Sequence, residues 1–271
     1  MSTPPYHSVA GLDVELEGGV LALHLNRIDR RNAIDDTMMA ALIDCVDAAG
    51  RDEAVRAIVL GGRGEHFCGG ADIVARNASG GPRPRTGSIQ RRLPAQAHRL
   101  VPLLLSVQVP VVGAVRGWAA GIGFQLALAA DFTVVAADAR LWEPFTARGF
   151  TPDSGATWLL PRLAGAVRAR QLLLLGRELT GTEALDWGLV HAAVPAGEVE
   201  GTARALAVEL AAGPTVALGL TKWLLHAGTA APLEEQLRNE GFALELSSRT
   251  EDFREGLRAF AERRPANFEG R

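Results

Sequence analysis

The sequence predicts an α/β fold, and three observations carry that prediction. Short apolar runs alternate with amphipathic helical stretches at roughly βα spacing. Apolar residues make up 48% of the 271-residue chain, enough for one full core. After about Pro195 the pattern changes to helices with no strand between them.

The elements follow in order. "LDVELEGGVLALHLN" reads as two short strands around a Gly-Gly turn, with period-two alternation. "DDTMMAALIDCVDAAGRD" reads as a helix, with apolar positions three to four apart and a Gly stop. "VRAIVLGG" is a buried strand, followed by the loop "RGEHFCGGADI". The stretch Ala78 to Ser88, "ASGGPRPRTGS", has the composition of a mobile loop. "RRLPAQAHRLVPLLLSV" is helical, with an early kink or start at Pro94. "VPVVGAVRG" is a second buried strand. A Gly-rich turn, the apolar helix "GFQLALAAD" and the strand "FTVVAAD" follow. Four helices then close the chain, and an amphipathic terminal block of this kind supplies an oligomer interface in many proteins. The division expected is a core over residues 1–199 and a helical region over 200–271.

Composition narrows the function. The net charge of −3 leaves no electrostatic footprint for nucleic acid. Lys222 is the only lysine, which reads as coding bias. Cys45 and Cys68 cannot build a disulfide framework in a chain this long, so a reducing cytoplasm is the expected setting. His66 and Cys68 are close, but no second pair completes a zinc site, and no metal is expected. "MSTPPYHSVAG" has neither the basic nor the apolar region of a signal peptide. The most apolar run, "LVPLLLSVQVPVVGAV", is broken by prolines and too short to span a bilayer, so no membrane partner is expected.

Two places combine a buried strand, glycines and a following helix: Gly69-Gly70-Ala71-Asp72 and Gly117 to Gly123. Glycine lets backbone N–H groups approach a ligand closely, and a helix N-terminus adds partial positive charge. Two such donors aimed at one point make an oxyanion hole. Ordinary βα turns account for the glycines equally well. "GIGFQL" is not a dinucleotide fingerprint, because its third Gly is missing.

"HFCGGADI" and "VRGWAAGIGFQLALAAD" closely resemble the two signature segments of the crotonase (enoyl-CoA hydratase/isomerase) superfamily. "NRIDRRNAI" does too, with Ile28 where the family usually has Pro. "LTGTEALDWGLVHAAVP" and "EDFREGLRAFAERRPANFEGR" extend the resemblance over nearly the whole chain. It implies a crotonase-type spiral of ββα turns and a C-terminal helical region that forms trimers or paired trimers. The ligand implied is an acyl-CoA thioester, with no permanently bound cofactor and coenzyme A arriving as part of the substrate. By position, the oxyanion donors would be the backbone N–H groups of Gly69 and Ile122. Arg30, Arg31, Ala71, Asp72 and Ile73 would lie along the CoA, although a solvated Arg30–Arg31 pair reads equally well. Gly121, Gln125 and Phe145 would border the substrate.

The resemblance also places the two glutamates of the hydratases, and here Gln125 and Phe145 stand at those positions. Hydration needs groups that take and return protons, and neither of these residues can. Glu143 lies two residues before Phe145; in an extended segment it would point to the same side, ~6–7 Å away. A salt bridge or loop contact is its other reading. Asp153 lies in "FTARGFTPDSGATWLLPRLAG", which resembles the ring-epoxide isomerases of phenylacetyl-CoA catabolism. An aspartate there shuttles protons along the acyl chain; Pro-Asp-Ser-Gly before a helix is also a good N-cap sequence. Trp142, Phe145, Phe150 and Trp158 are concentrated in this stretch, as an acyl pocket or as core. The expected function is isomerisation of an unsaturated or ring-modified acyl-CoA. A hydratase with unusual residues and a non-catalytic acyl-CoA-binding protein are the alternatives.

Overall fold

A computed structural model describes residues 6–72 and 85–271. β1 (Leu12–Glu17) and β2 (Val20–Leu25) pair antiparallel around Gly18 and Gly19. Both glycines have positive φ, 58° and 81°, which a two-residue hairpin turn demands. β1 is the sheet edge and keeps one face wet. β2 is buried throughout rather than alternating, because β3 (Ala57–Gly62) pairs with its other side. Between them runs α1 (Asp36–Ala49). The Asp35 carboxylate accepts the Met38 N–H at 2.9 Å and caps it. Met38, Leu42, Cys45, Val46 and Ala49 form its buried stripe.

The helical stretch around Pro94 is broken as the sequence suggests. α2 (Ser88–Arg92) ends in a 3₁₀ turn over Leu93–Ala95, and α3 (Ala97–Ser106) begins afresh. Then come β4 (Val111–Val115), β5 (Trp118–Ala120) and α4 (Ile122–Ala129). β6 (Phe132–Ala136), β7 (Arg140–Trp142) and α5 (Ala156–Leu173) repeat the same order. β8 (Leu179–Thr180), α6 (Gly181–Asp186) and β9 (Ala192–Val194) follow.

The strands form two sheets, in the orders β1-β2-β3-β4-β6-β9 and β5-β7-β8. β4 and β6 join the large sheet, while β5 and β7 join the small one, so each turn of chain adds a strand to both. This is the crotonase spiral of ββα turns. From β2 onward the large sheet is parallel. Helices cover its faces, which explains near-continuous apolar runs such as "AIVLGG". β5 and β7 are three residues each, too short for a periodic signal in the sequence.

Four helices end the chain: α7 (Val199–Ala211), α8 (Thr215–Gly228), α9 (Leu233–Ser247) and α10 (Glu251–Glu262). They do not pack alike. α7 buries Val199, Ala203, Ala207 and Ala211 against β3, β4 and β6, so it belongs to the sheet's covering layer. α8 touches the core through Gly219 and Lys222; a Cβ at Gly219 would come 2.3 Å from the Gln108 carbonyl oxygen. α9 and α10 bury few residues, among them Ala243 and Ala259. Among the described residues, no single helix is long and apolar enough to cross a membrane.

Candidate active site

Two glycine turns lie side by side because β5 hydrogen-bonds to the first of them. The Cys68 N–H donates to Trp118 O at 2.8 Å, and the Ala120 N–H donates back to Cys68 O at 2.9 Å. A Cβ at Gly123 would lie 2.7 Å from Cys68 O and from Cys68 Cβ, so only glycine lets α4 start against this turn. Cys68 itself is fully buried, and that burial pushes its thiol up to about 12, which removes it as a nucleophile.

The donors follow from the backbone accounting. The Gly69 N–H is donated to Arg31 O at 2.8 Å, which removes it as an oxyanion donor. Gly69 also does not line the cleft beside the turn, whereas Gly70, Ala71, Gly121 and Ile122 do. The Gly121 N–H is donated to Trp142 O at 2.9 Å. Ala71 and Ile122 keep N–H groups with no acceptor among the described residues. Ile122 opens α4, so its N–H belongs to the unpaired first turn of a helix. The donor pair facing the cleft is therefore Ala71 with Ile122.

The rest of the cleft comes from α1, the start of α3 and the loop after β7. Met39, Ala97, Phe145, Arg148, Phe150, Asp153 and Ser154 complete it, around a volume of about 60 Å³. Phe145 and Phe150 meet edge to face at 5.5 Å. Trp142 turns away, its ring tilted by 58° against that of Trp118 and its Nε1–H donating to Gly176 O. Trp158 lines a neighbouring cavity of about 420 Å³ with Val101, Pro102, Leu105 and His226. Ala97 and Ser154 border both spaces.

Asp153 is half-buried at the cleft wall and is the only acid among the described lining residues. It does not cap α5 with its side chain: the cap position is Gly155, without a side-chain bond. Its carboxylate accepts the Ser154 hydroxyl at 2.6 Å instead. Ser154 is buried with φ of 55°, a left-handed backbone that few residues other than glycine adopt.

Glu143 and Gln125 depart from their expected places. Phe145 has helical φ and ψ, so the chain is not extended here, and Glu143 does not share the side that Phe145 faces. Glu143 is wholly buried, and so is Gln125; neither lines the cleft. Gln125 Nε2 stands 2.5 Å from Glu143 Oε1. Burial pushes the Glu143 carboxyl well above the usual carboxylate range; the Gln125 bond opposes this and the charge of Asp153 adds to it.

The model of the family described as enoyl-CoA hydratase/isomerase matches residues 15–271. The chain belongs to the enoyl-CoA hydratase/isomerase family. It is 39% identical over 257 residues to the 1,2-epoxyphenylacetyl-CoA isomerase of Escherichia coli, covering 94% of this chain and 97% of that one. It is 31% identical over 257 residues to the crotonyl-CoA hydratase of Syntrophomonas wolfei, covering 94% and 96%. Among solved structures, an enoyl-CoA hydratase from Bacillus anthracis superposes with a TM-score of 0.89 at 29% identity, covering 96% of this chain and all of that one.

This enoyl-CoA hydratase/isomerase is thus an acyl-CoA enzyme on the crotonase fold. Arg30 and Arg31 are exposed, and Arg31 abuts Gly69 at the rim of the first turn. Arg30 stands 3.5 Å from the Asp29 carboxylate. The Asp72 carboxylate is buried against the Arg27 guanidinium at 2.9 Å, leaving only its backbone for a ligand. Ile73 and the Ala78–Pro84 part of the expected mobile loop lie outside the described residues. Sequence reasoning missed Ala71 as a donor, Ser154 as a partner of Asp153, and the Gln125–Glu143 pair. The first two have weak local signals, a Gly-Gly-Ala turn and a Ser next to an acid. The third joins residues 18 apart and has none.

Proposed function

We propose that this protein isomerises an unsaturated or ring-modified acyl-CoA, with Asp153 as the proton shuttle. The observation that carries the reading is that Asp153 is the one acid on the cleft wall among the described residues, while the hydratase positions hold Gln125 and Phe145. The Asp153 side chain takes a proton from the acyl carbon, and the electron pair moves into the thioester carbonyl. The N–H groups of Ala71 and Ile122 stabilise the enolate oxygen, a contribution of ~3–4 kcal/mol per donor in comparable sites. Asp153 then returns the proton to a neighbouring carbon, so atoms and charge balance. Ser154 holds the carboxylate by its hydroxyl. A bulky acyl end fits the adjoining cavity beside Trp158 better than the narrow cleft. Arg30 and Arg31 are placed to meet phosphates of the CoA, which comes with the substrate; no other cofactor is needed.

Asp153→Asn tests this. It keeps the size of the side chain and its bond to Ser154 but removes the base. Isomerisation should fall by roughly 10² or more while acyl-CoA affinity and fold persist. Wild-type turnover in the variant would remove Asp153 from the mechanism. Tight acyl-CoA binding by the wild-type protein, with no acyl-CoA in a broad panel altered, would favour a binding protein.

The same reading extends to assembly and setting. Leu225, Leu233, Phe242, Leu244 and Phe260 stand exposed on the last three helices, more apolar surface than a monomer keeps wet. We place a trimer, or a pair of trimers, on this surface. Light scattering that returned a clean monomer at micromolar concentration would refute it. Two buried cysteines that form no disulfide suit the cytoplasm.

A further inference from the structure

The cleft has two walls, and one buried contact joins them. One wall is the first turn of α4, with Ile122 facing the cleft and Gln125 one turn further on. The other is the chain after β7, running from Glu143 through Pro144 and Phe145 towards Asp153. The backbone joins them once, Gly121 N–H to Trp142 O. The side chains of Gln125 and Glu143 join them a second time, one residue further along.

We propose that Glu143 is a positioning residue of this site: as a neutral acid paired with Gln125, it latches the oxyanion turn to the segment that carries Phe145 and Asp153. Among the described residues, neither the Oε2 of Glu143 nor the Oε1 of Gln125 has another partner. No cation among them pairs with Glu143, and it is wholly buried. A carboxylate in that place would be a bare buried charge, which proteins avoid by keeping the proton. A neutral carboxylic acid and a primary amide are complementary, each offering one donor and one acceptor. A half-turn of the Gln125 amide exchanges its nitrogen and oxygen, so the acid O–H donates to the amide oxygen.

The latch matters to the reaction because of its neutrality. Asp153 is the charged group whose field reaches Glu143. While Glu143 keeps its proton, it adds no charge beside Asp153, the one acid among the described residues of the cleft wall. If Glu143 ionises, the acid O–H bond to Gln125 is lost and a second negative charge is placed behind the cleft wall. This inference rests on Asp153 as the base, and its first test does not.

That test is infrared spectroscopy of the ligand-free protein. The carbonyl band of a protonated carboxylic acid should be present at neutral pH in the wild type and in Asp153→Asn, and missing in Glu143→Gln. No such band, or one that survives Glu143→Gln, overturns the proposal whether or not the protein proves to be an isomerase. The second test is the pH profile of kcat. Glu143→Leu keeps neutrality but not the bonds, and should lower kcat by roughly tenfold with little change in KM. Glu143→Gln restores an amide pair, so it should recover most of that loss and remove any pH dependence of kcat that Glu143 ionisation contributes to the wild type. If Glu143→Gln is as slow as Glu143→Leu at neutral pH, the Glu143 proton is consumed in the reaction and the latch proposal fails.

Discussion

Lys222 and Asp131 tie the helical tail to the sheet, and Gln125 and Glu143 tie the two walls of the cleft together; Lys222, Gln125 and Glu143 are buried while Asp131 is partly exposed, and the first pair has the richer set of partners. Lys222 Nζ donates to Asp131 Oδ2 at 2.7 Å, to Leu104 O at 2.8 Å and to Val109 O at 3.2 Å. Asp131 also accepts the Val111 N–H at 2.8 Å. Burial pulls the Lys222 ammonium down and pushes the Asp131 carboxyl up, and the attraction between them works against both shifts. The Gln125–Glu143 pair has one bond and two oxygens left without partners. A fold can leave polar atoms unpaired in that way only where they are uncharged. The contrast separates a pair that holds the structure together from one whose neutrality serves the cleft.

The largest expected effect concerns hydration. The protein should hydrate crotonyl-CoA very slowly, because Gln125 faces Glu143 rather than the cleft and Phe145 has no polar atom. Restoring acids at both places requires changing Glu143 too, since a glutamate at 125 would otherwise meet a second acid. The triple variant Gln125→Glu, Phe145→Glu, Glu143→Gln should gain hydration by ~10² or more, read as loss of enoyl-thioester absorbance. A wild type as fast as the triple variant would mean that the buried pair withholds nothing from catalysis.

What the sequence made legible follows the same divide. The α/β alternation, the spiral and the Gly-rich turns were readable because strands such as Ala57–Gly62 and helices such as Asp36–Ala49 carry their own periodicity. Asp153 was readable as a cleft residue from its segment. Gly69 was misread as a donor because its N–H is taken by Arg31, 38 positions earlier, and spacing along the chain does not reveal that bond. The extended geometry considered for Glu143 fails because Phe145 begins a 3₁₀ turn and breaks the period of two, while its reading as a structural contact agrees with the bond to Gln125. Long-range hydrogen bonds, more than element identity, decided which polar atoms were free.

The next effect is on stability. Lys222→Met leaves Asp131 without its cation and strips two carbonyls of their donor. Removing one partner of a buried ion pair costs ~3–5 kcal/mol; Asp131 is about a quarter exposed, so a loss near the lower end is expected. A urea midpoint shift at unchanged slope would show it. Glu143→Gln should move that midpoint far less at acid pH, because it replaces one neutral partner by another. Equal losses from the two variants would erase the distinction between the pairs.

The smallest effect is a slope. Glu143 has a folded-state pKa above its ordinary 4.5, so between those two values the folded protein holds a proton that the unfolded chain has released. Stability therefore falls as pH rises through that window. The contribution is whole below 4.5, is lost progressively above it, and is exhausted once pH passes the folded value. Glu143→Gln has no proton to lose at this site, so its melting temperature should decline less than that of the wild type from pH 4.5 upward. Other carboxylates also change the curve, so the informative quantity is the difference between the two proteins at each pH. A difference that stays constant from acid to alkaline pH would mean that Glu143 titrates alike in the folded and unfolded chains, and the neutral latch would then have no physical basis.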